Sequence, residues 1–273
     1  MLQDMLENVR RKAPLIHNIT NYVTVNDCAN ILLACGASPI MSDDIGEVEE
    51  ITSLCAGLNI NIGTLNQHTL PAMLTAGKKA NELGHPVVLD PVGAGASTLR
   101  TASARKLLEN IRFTVIRGNI SEIRALATGT VSTRGVDADK AYSVTEENLD
   151  RAVEEIKAFS RETCAVIAVT GAIDLVTDGD RAFCIRNGRP EMSRITGTGC
   201  QLSAMTAAYA AANPGQALTA AAAAVCAMGL CGEIAMERMT PLDGNASYRN
   251  YIIDAVYHLT PQELERGAKY ELR

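Results

Sequence analysis

Short apolar runs alternate with stretches of helical periodicity along most of the chain, and this alternation limits the fold more than any other feature. Six runs read as buried strands: PLIHNIT from Pro14, ASPIM from Ala37, LNINIG from Leu58, PVVLD from Pro86, FTVIRGN from Phe113 and CAVIAVTG from Cys164. Between them, helical spacing marks 25–35, 47–57, 67–83, 101–111 and 146–161. Strands that alternate with helices predict an α/β fold, a central mostly parallel sheet flanked by helices. The segment DLVTDGDRAFCIRNG at 174–188 differs. Two short runs flank Asp-Gly-Asp, which predicts a small β-hairpin added to the sheet. From Gly199 onward nearly all of the chain is expected to be helical, and 128–143 is the expected irregular excursion.

Composition narrows the class. Apolar residues make up 47% of the 273 and aromatics only 4%, so the core must be built from Ala, Leu, Ile and Val. No linker, repeat or composition break divides the chain, which predicts one domain over 1–273. The net charge is -6, and the only basic cluster is RRK at 10–12, which argues against nucleic acid as a partner. Eight cysteines are dispersed with no Cys-x-x-Cys pair, the pattern of reduced thiols in a cytoplasmic protein rather than a zinc site or disulfides. The N-terminus carries acids early and lacks the apolar segment of a secretory leader. The uncharged run 217–232 is mostly Ala and falls short of the ~20 residues a membrane span needs, so a buried helix is expected and no membrane partner.

In open α/β sheets, ligands sit beyond the carboxyl ends of the strands. The polar residues there are 18–21, 41–44, 61–64, 90–95, 117–122 and 170–171. In LDPVGAGAS, Asp90 ends an apolar strand and glycines follow. A carboxylate there suits Mg²⁺ held through water, with glycines that let a phosphate approach; a tight turn capped by Asp90 explains the same residues equally well. In IRGNISEI, Arg117 suits bidentate pairing with a phosphate, and Glu122 suits a place beside Asp90 on a metal. The plainer readings are an ion pair for Arg117 and a helix-dipole partner for Glu122.

In TGTGC, Gly197 and Gly199 permit backbone angles that aim successive N–H groups inward, making an anion hole of Gly197, Gly199 and Cys200 where a helix begins. A plain glycine turn is the alternative. A cysteine at a helix N-terminus is expected to have a lowered pKa. The four histidines, His17, His68, His85 and His258, form no recognisable pair with it, which argues against a cysteine nucleophile.

Taken together, HNITN at 17–21, GASPIM at 36–41, NIGTL at 61–65, LDPVGAGAS, IRGNISEI, AVTG and TGTGC resemble the hydroxyethylthiazole kinase family of the ribokinase-like superfamily. The resemblance runs from about Pro14 into the 200s; the tail beyond about Asn245 carries little of it. It implies a ribokinase-like fold and transfer of a phosphoryl group from ATP, with Mg²⁺, to the hydroxyl of 4-methyl-5-(2-hydroxyethyl)thiazole, a salvage step toward thiamine. It implies Asn21, Met41 and Gly197 at the thiazole, Arg117 and Thr170 at the ATP, and Asp90 and Glu122 near the metal. It also implies a homotrimer with active sites shared between subunits. Relatives in the wider superfamily often have Asp as a base at the position of Cys200, so Cys200 is expected to serve as a modest base or a hydrogen-bonding wall. The alternatives are another small-alcohol kinase of the superfamily and a non-catalytic nucleotide-binding regulator.

Overall fold

The structure, a computed structural model, describes residues 1–129 and 143–273. Most of the expected excursion, 130–142, lies outside the described residues. Its first two positions do not: Thr128 ends a helix, and Gly129 closes that helix in the left-handed conformation.

Nine strands form one sheet: β1 (Leu15–Ile19), β2 (Ser38–Met41), β3 (Gly57–Asn61), β4 (Val87–Asp90), β5 (Val115–Asn119), β6 (Val166–Thr170), β7 (Asp174–Thr177), β8 (Ala182–Ile185) and β9 (Tyr270–Leu272). Their order is β2-β1-β3-β4-β5-β6-β7-β8-β9. The first six run parallel, and β7, β8 and β9 are antiparallel. All six expected strands and the hairpin are present. From Gly199 onward the chain is nearly all helical, as expected, and the exception is β9, which returns to pair with β8.

Eleven helices among the described residues cover the sheet: α1 (Leu2–Lys12), α2 (Val25–Cys35), α3 (Val48–Leu54), α4 (Thr69–Leu83), α5 (Thr98–Asn110), α6 (Ile120–Thr128), α7 (Leu149–Thr163), α8 (Thr198–Ala212), α9 (Ala217–Glu237), α10 (Asn245–His258) and α11 (Pro261–Gly267). Successive strand residues point to opposite faces. Val88, Val115 and Ala168 therefore meet the core containing α1, α2, α8, α9 and α10, while Leu89, Ile116 and Ile167 meet the core under α4 to α7. In α1, Leu2, Met5, Leu6 and Val9 are buried at helical spacing. The basic cluster ends this helix and serves the fold. Arg10 donates to the carbonyls of Val256 and Tyr257, and Lys12 donates to that of Ala212, capping the ends of α10 and α8.

The expected helix at 47–57 is shorter, because Gly57 already begins β3. Helix α9 is long and apolar enough to cross a membrane by length and composition, but 72% of its most apolar window is buried within the fold. It is a core helix, as its alanine content predicts.

Candidate active site

Beyond the carboxyl ends of β1, β3, β4, β5 and β6 the N-terminus of α8 meets a ring of polar side chains. Two glycines set its entry, for different reasons. Gly197 has φ 90°, and a Cβ there would lie 2.4 Å from Thr24 Cγ2. Gly199 is inside the helix, with no positive φ. Its reason is space: a Cβ would lie 2.5 Å from Nη1 of Arg117. The expectation that both glycines supply unusual backbone angles therefore holds only for Gly197. No side chain caps α8, and the first N–H groups of a helix have no partner within it. The amides of Thr198, Gly199 and Cys200 thus begin the helix with the positive end of its dipole at the rim.

A chain of side-chain hydrogen bonds runs through this rim. Thr24 donates through its backbone N–H (3.1 Å) and hydroxyl (3.0 Å) to Asn21 Oδ1. Asn21 Nδ2 donates to Asn61 Oδ1 at 3.0 Å and to Cys200 Sγ at 3.2 Å. Asn61 Nδ2 donates to Asp90 Oδ2 at 2.8 Å, and the same oxygen receives the Ser203 hydroxyl at 2.8 Å. Parallel register causes much of this, since Asn61 and Asp90 are paired across β3 and β4. Asp90 is fully buried, and Nη1 of Arg117 stands 3.6 Å from Oδ2. Its other oxygen, Oδ1, has no hydrogen-bond partner. Burial pushes the Asp90 carboxyl upward, while Arg117, Ser203 and Asn61 pull it down.

Glu122 realises its plainer reading. Oε2 accepts the Asn119 N–H and Asn119 Oδ1 accepts the Glu122 N–H, a capping box that starts α6. Oε1 accepts the Gly93 N–H at 2.8 Å. Burial, then the charge of Asp90, raise its carboxyl. The glycine loop after Asp90 is turned inward as well. Gly93 serves Glu122, the Gly95 N–H donates to Thr101, and Arg100 straps the loop by donating to the carbonyls of Val92 and Gly63. Both amides are thus bonded within the chain, one to an acid and one to a hydroxyl, whereas the start of α8 has no side-chain cap.

Arg117 lies in the middle of β5 and is nearly buried. Nη2 donates to Thr170 Oγ1 at 2.5 Å, and Nε is buried without a partner. Both residues line a cavity of about 510 Å³ that also takes in Gly171, Asp174, Thr198 and Gly199. Asp174 is a site residue that the sequence reading missed. Burial pushes its carboxyl up to about 7, against the pull of the Gly171 N–H and of Arg117.

The expected lowering of the Cys200 pKa is overturned. Burial, then the negative charge of Asp90, push the thiol upward against the pull of Thr24, Arg117 and Asn61. His17 offers it no help. Its Nδ1 pairs with the Thr52 hydroxyl and its Nε2 with the Ser42 carbonyl, and burial lowers its pKa. Met41 is half-buried at the end of edge strand β2, one strand outward from β1, and stands outside the hydrogen-bonded chain. The structure thus joins Asn21, Asp90, Arg117, Thr170, Gly197 and Cys200 around α8 and sets Glu122 beside them through Gly93, while Met41 packs against the same core as Cys200.

The donors fit magnesium better than zinc. Among the described residues, no group of three or more His, Cys, Asp or Glu side chains converges as a metal cage. Mg²⁺ keeps several waters and needs only one or two carboxylates besides phosphate oxygens. The unpartnered Oδ1 of Asp90 meets that need, and Glu122 is the second acid within its influence.

Architecture and site define a ribokinase-like α/β protein. The family model described as the hydroxyethylthiazole kinase family matches residues 6–262, and the chain belongs to that family. It is 64% identical to the hydroxyethylthiazole kinase of Clostridium acetobutylicum over 99% of both chains. It superimposes on the structure of the hydroxyethylthiazole kinase protein from Pyrococcus horikoshii OT3 with a TM-score of 0.88 and 36% identity, covering 100% of this chain and 98% of that one. The pyridoxal kinase of Staphylococcus aureus in complex with ADP shares the fold alone, with a TM-score of 0.63 and 14% identity over 95% of this chain and 97% of that one.

Proposed function

We propose that this chain, as one kinase domain over 1–273, transfers the γ-phosphoryl group of ATP to the hydroxyl of 4-methyl-5-(2-hydroxyethyl)thiazole, a salvage step toward thiamine. The observation that carries this reading is the meeting of Asp90, Arg117 and Cys200 at the uncapped start of α8, in a chain of this family.

Phosphoryl transfer passes through a loose transition state, so positioning and charge neutralisation supply most of the catalysis. In this reading the nucleotide lies in the cavity lined by Arg117 and Thr170. Arg117, whose Nε is unpaired, binds phosphate oxygens. The amides of Gly199 and Cys200, with the turn at Gly197, hold the transferring group. Mg²⁺ bound at Asp90, with Glu122 beside it, would supply charge neutralisation of the phosphates. Asn21 and Gly197 sit at the acceptor alcohol, with Met41 closing the thiazole side. Cys200 is a neutral thiol whose Sγ already accepts a hydrogen bond from Asn21. It therefore orients the acceptor hydroxyl and serves as a weak base at most.

The same reading includes a cytoplasmic homotrimer with sites shared between subunits. Tyr22 and Val23, 77% and 58% exposed beside Asn21, and the exposed Ile45 near Met41 are apolar groups suited to such an interface. A coupled ADP-release assay over a panel of small alcohols tests the function. The thiazole alcohol should give the highest kcat/KM; a preference for a sugar or pyrimidine alcohol, or no turnover at all, would reject it.

A further inference from the structure

Buried carboxylates in folded proteins normally have their oxygens satisfied. Glu122 obeys this, with one backbone N–H on each oxygen. Asp90 does not. Two donors bond Oδ2, Asn61 and Ser203, each at 2.8 Å, and the Arg117 guanidinium stands 3.6 Å from it, while the equally enclosed Oδ1 has no partner. We propose that Asn61 and Ser203 are positioning residues that hold Asp90 by Oδ2 so that Oδ1 is the oxygen presented to a divalent cation or its water.

The direction of this clamp is fixed from outside the carboxylate. Asn61 Oδ1 accepts both the Gly63 N–H (2.9 Å) and the Asn21 amide (3.0 Å), so Nδ2 must face Asp90. Asn21 is oriented in turn by the two donors of Thr24. Strand register sets Asn61 beside Asp90, and Ser203 reaches the same oxygen from α8, one turn beyond Gly199, whose carbonyl lies 3.3 Å from its hydroxyl. A sheet residue and a helix residue thus grip one oxygen from two sides. Groups that orient a metal-binding carboxylate typically contribute 10- to 100-fold to metal affinity.

This inference rests on the proposed use of magnesium with a nucleotide, but not on the identity of the acceptor. The test is calorimetric titration of Mg²⁺ into the full-length protein saturated with ADP, corrected for ADP alone. Ser203→Ala and Asn61→Ala should each weaken Mg²⁺ by about 10-fold or more. Thr206→Ala is the control: it removes a buried hydroxyl of α8 that bonds the Leu202 carbonyl instead of Asp90, and it should titrate as the wild type does. Wild-type affinity in Ser203→Ala, equal loss in all three variants, or a wild-type protein that takes up no Mg²⁺ with ADP would each overturn the assignment. Failure of the wild type to phosphorylate the thiazole alcohol would reject the proposed substrate and leave this titration readable.

Discussion

On the β1–β3–β4 side of α8, Asn21, Asn61 and Asp90 are joined by hydrogen bonds of 2.8 to 3.0 Å, and both amides are oriented without ambiguity. On the β5–β6–β7 side, Arg117 and Thr170 front a cavity of about 510 Å³, and Arg117 keeps an unpaired Nε. The first side is hydrogen-bonded throughout except at the buried oxygens Asp90 Oδ1 and Asn59 Oδ1. The second borders open space, with Arg117 and Thr170 on its wall. Buried polar groups without partners are costly, and two such atoms beside α8 are Asp90 Oδ1 and Arg117 Nε. Under the proposed function, one half of the rim orients the reacting groups and the other captures the nucleotide, with α8 between them.

The strongest way to break this division is Asp90→Ala. It removes the carboxylate on which both halves converge, and kcat should fall by about 10³-fold, the scale of losing a major electrostatic group. A small loss in the variant would make Asp90 a turn cap and nothing more. Gly199→Ala acts through Arg117, which borders the cavity and stands 3.6 Å from Asp90 Oδ2. Its methyl group would stand 2.5 Å from Arg117 Nη1, so the guanidinium must move. Displacing a charged hydrogen-bonding partner costs about 1.5–3 kcal/mol, or roughly 10- to 100-fold in KM for ATP. Unaltered ATP kinetics in a folded Gly199→Ala protein would show that Arg117 does not need this seat.

Cys200 sharpens the comparison, with a smaller effect. A neutral, acceptor-bonded thiol contributes little general-base catalysis, so Cys200→Ala should lose no more than about 10²-fold in kcat, the low end of such effects. Cys200→Asp should be tolerated or faster. Intact-mass spectra during turnover should show no adduct, and a covalent species on Cys200 would contradict its assignment.

Much of this was legible in the sequence. Strands β1 to β6 are short apolar runs bounded by turn residues, and their polar ends fall where a parallel sheet binds ligands. What escaped was non-local. Strand β9 has three residues, and only its pairing with β8 makes it a strand. Helix α1 shows its Leu2, Met5, Leu6 and Val9 spacing plainly, but the core it joins is built from helices far along the chain. Ser203 is one small residue in an alanine-rich helix, and nothing local tells that it faces Asp90. The reason for Gly199 is the Arg117 side chain on another strand. The thiol was misjudged because a helix terminus is visible in sequence, whereas burial beside a carboxylate is not.

The division into two half-sites is tested most directly by steady-state kinetics of Arg117→Ala and Asn21→Ala, with ATP and the thiazole alcohol varied in turn. Arg117→Ala should raise KM for ATP and leave KM for the alcohol unchanged. Asn21→Ala, which removes the donor to Cys200 Sγ, should do the reverse. If both variants raise the same KM, or if Arg117→Ala leaves ATP kinetics intact, the two sides of α8 do not divide the substrates and the account fails.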